Sequence, residues 1–150
     1  MRKLSLFLLF SSGLLFANAQ LVEVETGGWT TIGKINRLGT TIAKMEYKTN
    51  GADTVYSLLM KDFTKQQEPN YFSISFSGTG NSFARFYTLF KSFFISENKS
   101  KNYMKTFRLG EYVINLQHTA LIGAKAVRLS TRESYINLSE KDIDRIFGYR

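Results

Sequence analysis

Along the chain, apolar positions first recur every second residue and then switch to a helical spacing. From Thr41 to Lys48, Ala43, Met45 and Tyr47 alternate with Lys44, Glu46 and Lys48. A period of two describes a strand with one face buried and one face wet. Asn50-Gly51 follows and predicts a hairpin, because tight hairpin turns need positive φ, which these residues adopt at little cost. "TVYSLLMKDF" (54–63) returns with Tyr56, Leu58 and Met60 on one face. "YFSISFS" (71–77) turns Phe72, Ile74 and Phe76 inward and Tyr71, Ser73, Ser75 and Ser77 outward. Strands with one polar face belong to an antiparallel sheet.

Over residues 81–96 the period changes. Phe83, Phe86, Tyr87, Phe90, Phe93 and Phe94 fall on one arc of a helix, with Arg85, Thr88 and Ser92 opposite and Lys91 at the flank. Alternation resumes at 103–110, 111–118, 124–131 and 134–138. A second helix is predicted over about 140–147. Ser139 is its N-cap, Asp142 completes a capping box, Leu138 and Ile143 can staple its start, and Gly148 stops it.

These elements predict an α+β fold: a mainly antiparallel sheet of about seven strands with both helices packed on one face. The order of strands, helix, strands, helix admits a duplicated unit, but no residue-level self-similarity supports one.

The aromatic helix admits three roles. An interfacial membrane helix would carry a denser basic face than Arg85 and Lys91 provide. Base stacking uses exposed sheet or groove aromatics rather than one helical stripe. A core face, with a wide apolar stripe and a polar back, fits the pattern.

The first residues have a different character. A basic head (Met1-Arg2-Lys3), the apolar run "LSLFLLFSSGLLF" and "ANA" at 17–19 form the three parts of a signal peptide cleaved after Ala19. Residues 1–19 are therefore read as a signal peptide and 20–150 as a single domain, secreted or periplasmic, with no transmembrane span after cleavage. With no cysteine, the domain has neither disulfides nor thiol chemistry and rests on its core. The formal net charge is +8, and without Arg2 and Lys3 there remain 18 basic against 12 acidic residues. That balance favours anionic partners, and export makes nucleic acid the least available of them.

Candidate chemistry is sparse. "SGTGNS" (77–82) lacks both the third glycine of a dinucleotide loop and the Gly-Lys-Ser/Thr of a phosphate loop, so it reads as a turn into a helix capped by Asn81 or Ser82. His118 is the single histidine, and it falls at a strand end with no nucleophile signature. With one histidine and no cysteine, no metal site and no cofactor is predicted. Glu140, Asp142 and Asp144 gather at a helix start, where the helix dipole favours them. Glu111 and Glu133 are among several carboxylates that belong to no motif.

The best basic-aromatic stretch is 98–108, where Lys99, Lys101, Lys105 and Arg108 interleave with Tyr103 and Phe107. Lys99, Lys101, Tyr103, Lys105 and Arg108 are the predicted binding residues. The expectation is a non-catalytic binding or interaction module at the cell envelope, its partner an anionic envelope component or another protein. The alternative is a small carboxylate-dependent hydrolase.

Overall fold

The computed structural model describes residues 28–64, 70–98, 100 and 102–149. The signal-peptide segment 1–19 lies outside the described residues, as do Lys99 and Lys101 of the predicted binding set.

The first half is a four-stranded antiparallel meander: β1 (Thr30–Arg37), β2 (Thr40–Asn50), β3 (Asp53–Lys61) and β4 (Tyr71–Ser77), followed by helix α1 (Ser82–Lys91). The second half repeats that order: β5 (Met104–Leu109), β6 (Tyr112–Leu121), β7 (Ala124–Ser130) and β8 (Tyr135–Ser139), then α2 (Glu140–Ile146). The α+β, antiparallel reading with two helices stands. The strands number eight and divide into two sheets, because β4 does not join β5 in one ladder.

Strand parity carries the packing. Ile35, Ala43 and Met60 form one inward row of the first sheet, and Met45, Leu58 and Ile74 form the next. In the second sheet Leu116, Leu129 and Ile136 form one row, and Val127 and Leu138 belong to another that begins at His118. All these apolar side chains belong to a single core cluster, so the two halves share one interior.

α1 lies in that shared interior. Phe86 meets Phe76 of β4 at 5.8 Å and Phe107 of β5 at 5.8 Å, so one ring touches both sheets. Phe83 stacks on Tyr56 of β3 at 4.7 Å. Phe86, Phe90 and Phe93 are fully buried, while Arg85 and Thr88 face water. Each fully buried ring contributes about 1.5–3 kcal/mol before ordering entropy is counted. The helix is shorter than its stripe: it ends at Lys91, and Phe93 and Phe94 follow in turns. Asn81 stands at its start with φ 57° and makes no side-chain cap, while the Ser82 hydroxyl reaches back to the Ser77 carbonyl.

α2 packs beside α1. Its capping box forms in full: Ser139 Oγ accepts from the Asp142 N–H, and Asp142 accepts from the Ser139 N–H. It packs on β1 and β8 at once. Gly33 of β1 makes this approach possible, since a Cβ there would collide with the carbonyl oxygens of Arg145 and Ile146. Phe147, just past α2, contacts Phe83, Phe86, Tyr87 and Phe90 of α1.

The hairpin expected at Asn50-Gly51 is present with a shifted turn. Asn50 pairs with Asp53, so Gly51 and Ala52 are the central residues and Gly51 alone takes a positive φ, 62°.

Candidate functional site

The described part of the basic stretch lies on β5, an edge strand of the second sheet, and on its approach. Strand parity divides it. Lys105 pairs with Leu116 and so stands in an inward row, at the open margin of the core. Its stem can lie along apolar surface while the ammonium reaches outward. The ammonium sits 5.7 Å from the centre of the Tyr103 ring. Arg108 has the opposite parity and is exposed on the outer face of the sheet. The structure thus brings Tyr103 and Lys105 together and places Arg108 on the other face of the same edge.

Tyr103 is also part of the fold. Its ring meets Phe93 edge-on at 4.8 Å, and its hydroxyl lies 3.4 Å from Ser92 Oγ. The Ser92 hydroxyl first, and then the Lys105 ammonium, hold the Tyr103 phenol below its usual range, against the opposing effect of burial. His118 adjoins this cluster, 5.1 Å from Phe93, with Nε2 2.6 Å from the Asn98 carbonyl. Asn98 in turn donates its amide to the Ser92 carbonyl at 2.8 Å. These bonds tie the end of α1 to β6 and give His118 a structural partner, but β6 runs on to Leu121, so His118 stands inside the strand rather than at the strand end its position predicts.

The acidic cluster of α2 is likewise committed. Asp142 accepts from Arg37 at 2.6 Å as well as closing the cap. Asp144 accepts from the Tyr87 hydroxyl at 2.9 Å, and Lys91 bridges Glu140 at 2.5 Å and Asp144 at 3.0 Å. Burial and the Asp144 carboxylate raise the Tyr87 phenol above its usual range. For Lys91, burial opposes the charge, but bonds to Glu140 and Asp144 outweigh it and raise its affinity for the proton. No group of three His, Cys, Asp or Glu suited to a metal ion occurs among the described residues.

A surface groove runs where the two sheets meet. It has a volume of about 530 Å³ and is lined by Phe72 and Ser73 of β4, the Glu111–Val113 segment and the Thr131–Ser134 turn. Asp62 fixes one wall: it accepts from the Ser134 hydroxyl at 3.0 Å and from the Thr64 N–H at 2.9 Å. Burial would raise the Asp62 carboxyl, but these bonds outweigh it and hold the group below its usual range. The other wall depends on Gly110, whose Cβ, if present, would strike the Ser75 carbonyl.

The groove gathers Glu111 and Glu133, which sequence motifs did not connect, with Arg132 also in its lining. All three are exposed to water, a setting that lacks the apolar enclosure a general-acid carboxyl needs. Tyr112 and Val113 present apolar surface beside them. Sequence reasoning missed this groove because its walls come from turns far apart in the chain.

No protein family matches the chain, and no curated protein or solved structure matches it, so its function has to be argued from the site itself.

Proposed function

We propose that this chain is an exported, non-catalytic binding module that meets an anionic component of the cell envelope along the β5 edge. The observation that carries the reading is the Tyr103–Lys105 pair at the margin of an edge strand, with Arg108 on its other face and Lys99 and Lys101 in the segment before it. An edge strand is accessible from both faces, so cations of opposite parity can serve one partner laid along it. Without Arg2 and Lys3 the chain keeps 18 basic against 12 acidic residues, a net charge of +6 that adds attraction at longer range. The polar groups best suited to catalysis, His118, Tyr103, Asp62, Asp142 and Asp144, are engaged in holding elements together.

The test titrates the wild type and Lys101→Glu/Lys105→Glu against anionic vesicles and an acidic polysaccharide at low and moderate salt. Wild-type binding should weaken steeply with salt, because such attraction is screened over about 8 Å at physiological ionic strength. The double variant should not bind. Equal binding by both proteins, or none by either, refutes the reading. Mass spectrometry of the protein from its native host should find a mature N-terminus at Gln20.

A second reading, a small carboxylate-dependent hydrolase, draws on the meeting of Glu111 and Glu133 at the groove. Turnover of chromogenic glycosides that is lost in both Glu111→Gln and Glu133→Gln would replace the binding reading.

A further inference from the structure

Four hairpins in the two meanders turn on two residues. Two of them place glycine first: Gly51-Ala52 between β2 and β3, and Gly110-Glu111 between β5 and β6, at φ 62° and 58°. The other two place a bulky aliphatic residue there. Leu38-Gly39 joins β1 to β2, Ile122-Gly123 joins β6 to β7, and Leu38 and Ile122 both stand at φ 49°. The glycines after them follow at φ 77° and 76°.

This turn calls for Asn or Gly at its first position, and a β-branched residue at positive φ is a conformational outlier. Neither side chain recovers the strain by packing: Leu38 is 104 % and Ile122 99 % exposed. The repeated order of elements does not explain them either. Leu38-Gly39 corresponds in element order to Gly110-Glu111, and Ile122-Gly123 to Gly51-Ala52.

What the two tips share is location. Arg37, next to Leu38, bonds Asp142 in the first turn of α2. Ala126, four residues past Ile122, pairs with Ser139, the N-cap of α2. Both tips therefore flank the N-terminal end of α2. Both also project. The β6–β7 hairpin continues past its last pairing with β5 at Gln117 and with β8 at Ala126, and the β1–β2 hairpin continues past its last pairing with β3 at Ala43. Beyond both neighbours this leaves two residues of strand in the β6–β7 hairpin and three in the β1–β2 hairpin, a reach of about 7–10 Å.

The charge beside the tips is basic. Lys125 and Lys141 are exposed, and neither has an ion-pair partner among the described residues. The neighbouring acids are neutralised, Asp142 by Arg37 and Glu140 by Lys91. By antiparallel topology, the start of β5, preceded by Lys99 and Lys101, lies at this same end of the second sheet.

From this arrangement we infer that the Leu38 and Ile122 hairpin tips insert into the headgroup boundary of an anionic lipid bilayer, with Lys125 and Lys141 set against the lipid phosphates. The inference rests on the envelope reading above and names its partner. A soluble polyanion would use the cations but would have no use for the aliphatic tips, whereas a bilayer uses both.

The experiment measures cosedimentation of the full chain with phosphatidylglycerol–phosphatidylcholine vesicles, pure phosphatidylcholine vesicles and an acidic polysaccharide. Leu38→Asn/Ile122→Asn removes both aliphatic groups and suits the turn better, so it should fold at least as stably as the wild type. It should bind the anionic vesicles about 100-fold more weakly, since each buried aliphatic side chain is worth at least about tenfold. Its binding to the polysaccharide should be unchanged. Ile122→Trp in a Trp29→Phe background should show blue-shifted emission with anionic vesicles. Vesicle binding unaffected by the Asn pair overturns the inference and leaves the β5-edge reading intact. Wild-type binding to polysaccharide but not to vesicles does the same. Binding to neither overturns both readings.

Discussion

Phe147 is the ring through which α2 holds α1, and its truncation is the sharpest test of the shared core. The side chain is 4 % exposed. Its ring centre lies 5.1 Å from Phe83, 5.3 Å from Tyr87, 5.6 Å from Phe86 and 6.0 Å from Phe90. Phe147→Ala removes the transfer energy of the ring and leaves a cavity walled by four aromatics, which cannot collapse without moving α1. Such truncations cost about 3–5 kcal/mol, a large part of the roughly 5–15 kcal/mol that holds a domain folded. With a urea slope of about 2 kcal/mol per molar, the unfolding midpoint should fall by about 2 M. A double-mutant cycle with Phe86→Leu and Phe147→Leu should return a coupling of about 0.5–1.5 kcal/mol from the edge-on pair. Arg85→Ala, on the wet side of the same helix, should stay within about 0.5 kcal/mol of wild type. A cost below about 1 kcal/mol for Phe147→Ala, at unchanged slope, would show that α2 does not anchor the aromatic helix.

Gly33→Ala should destabilise by at least about 1–3 kcal/mol, because the new methyl meets backbone rather than a side chain that can swing away; thermal unfolding equal to wild type would contradict the close seating of α2 on β1. The Asp62 carboxyl is depressed in the folded state, so its contribution is present above the unfolded value near 3.9 and is lost as pH falls through the folded one. Asp62→Asn should therefore flatten the acid limb of a plot of unfolding midpoint against pH, and an unchanged limb would contradict the bonding. Lys91 and Tyr87 are both raised, so their contributions hold below about pH 10 and disappear as pH rises through the folded values. Lys91→Met should shrink the loss of stability in that alkaline window, again read as the midpoint of urea unfolding.

The parts of the fold that could be read from the sequence are those whose cause is local. Phe72, Ile74 and Phe76 declare an inward face by parity alone, and Ser139 with Asp142 declares a helix start by hydrogen-bond chemistry. β1 (Thr30–Arg37) was hidden because its register slips between Thr31 and Gly33 and again between Ile35 and Asn36, which scrambles the alternation. The division into two sheets could not be read, since it depends on β4 and β5 meeting without forming a hydrogen-bonded ladder. The same holds for the site. Parity separated Arg108 from Lys105, but the seating of Tyr103 against Phe93 and His118 needed the tertiary fold. Leu38 and Ile122 gave no signal, because neither is a turn former and only the backbone angle marks them.

The seat of α2 also sets when this chain can fold. The bond between Arg37 and Asp142 closes a loop of 105 residues, and β1 is the strand α2 covers. Until α2 emerges, the inward rows of β1 and β2 have no lid, so the first meander cannot settle by itself however early it is made. Local hairpins can form and dissolve, but the committed state waits for α2, with the slow kinetics that such distant contacts impose. A ribosome-bound or translocating chain would then stay pliable along most of its length. For the exported chain proposed above, closure that waits for α2 would leave β1 and β2 unsealed while the chain is still extended.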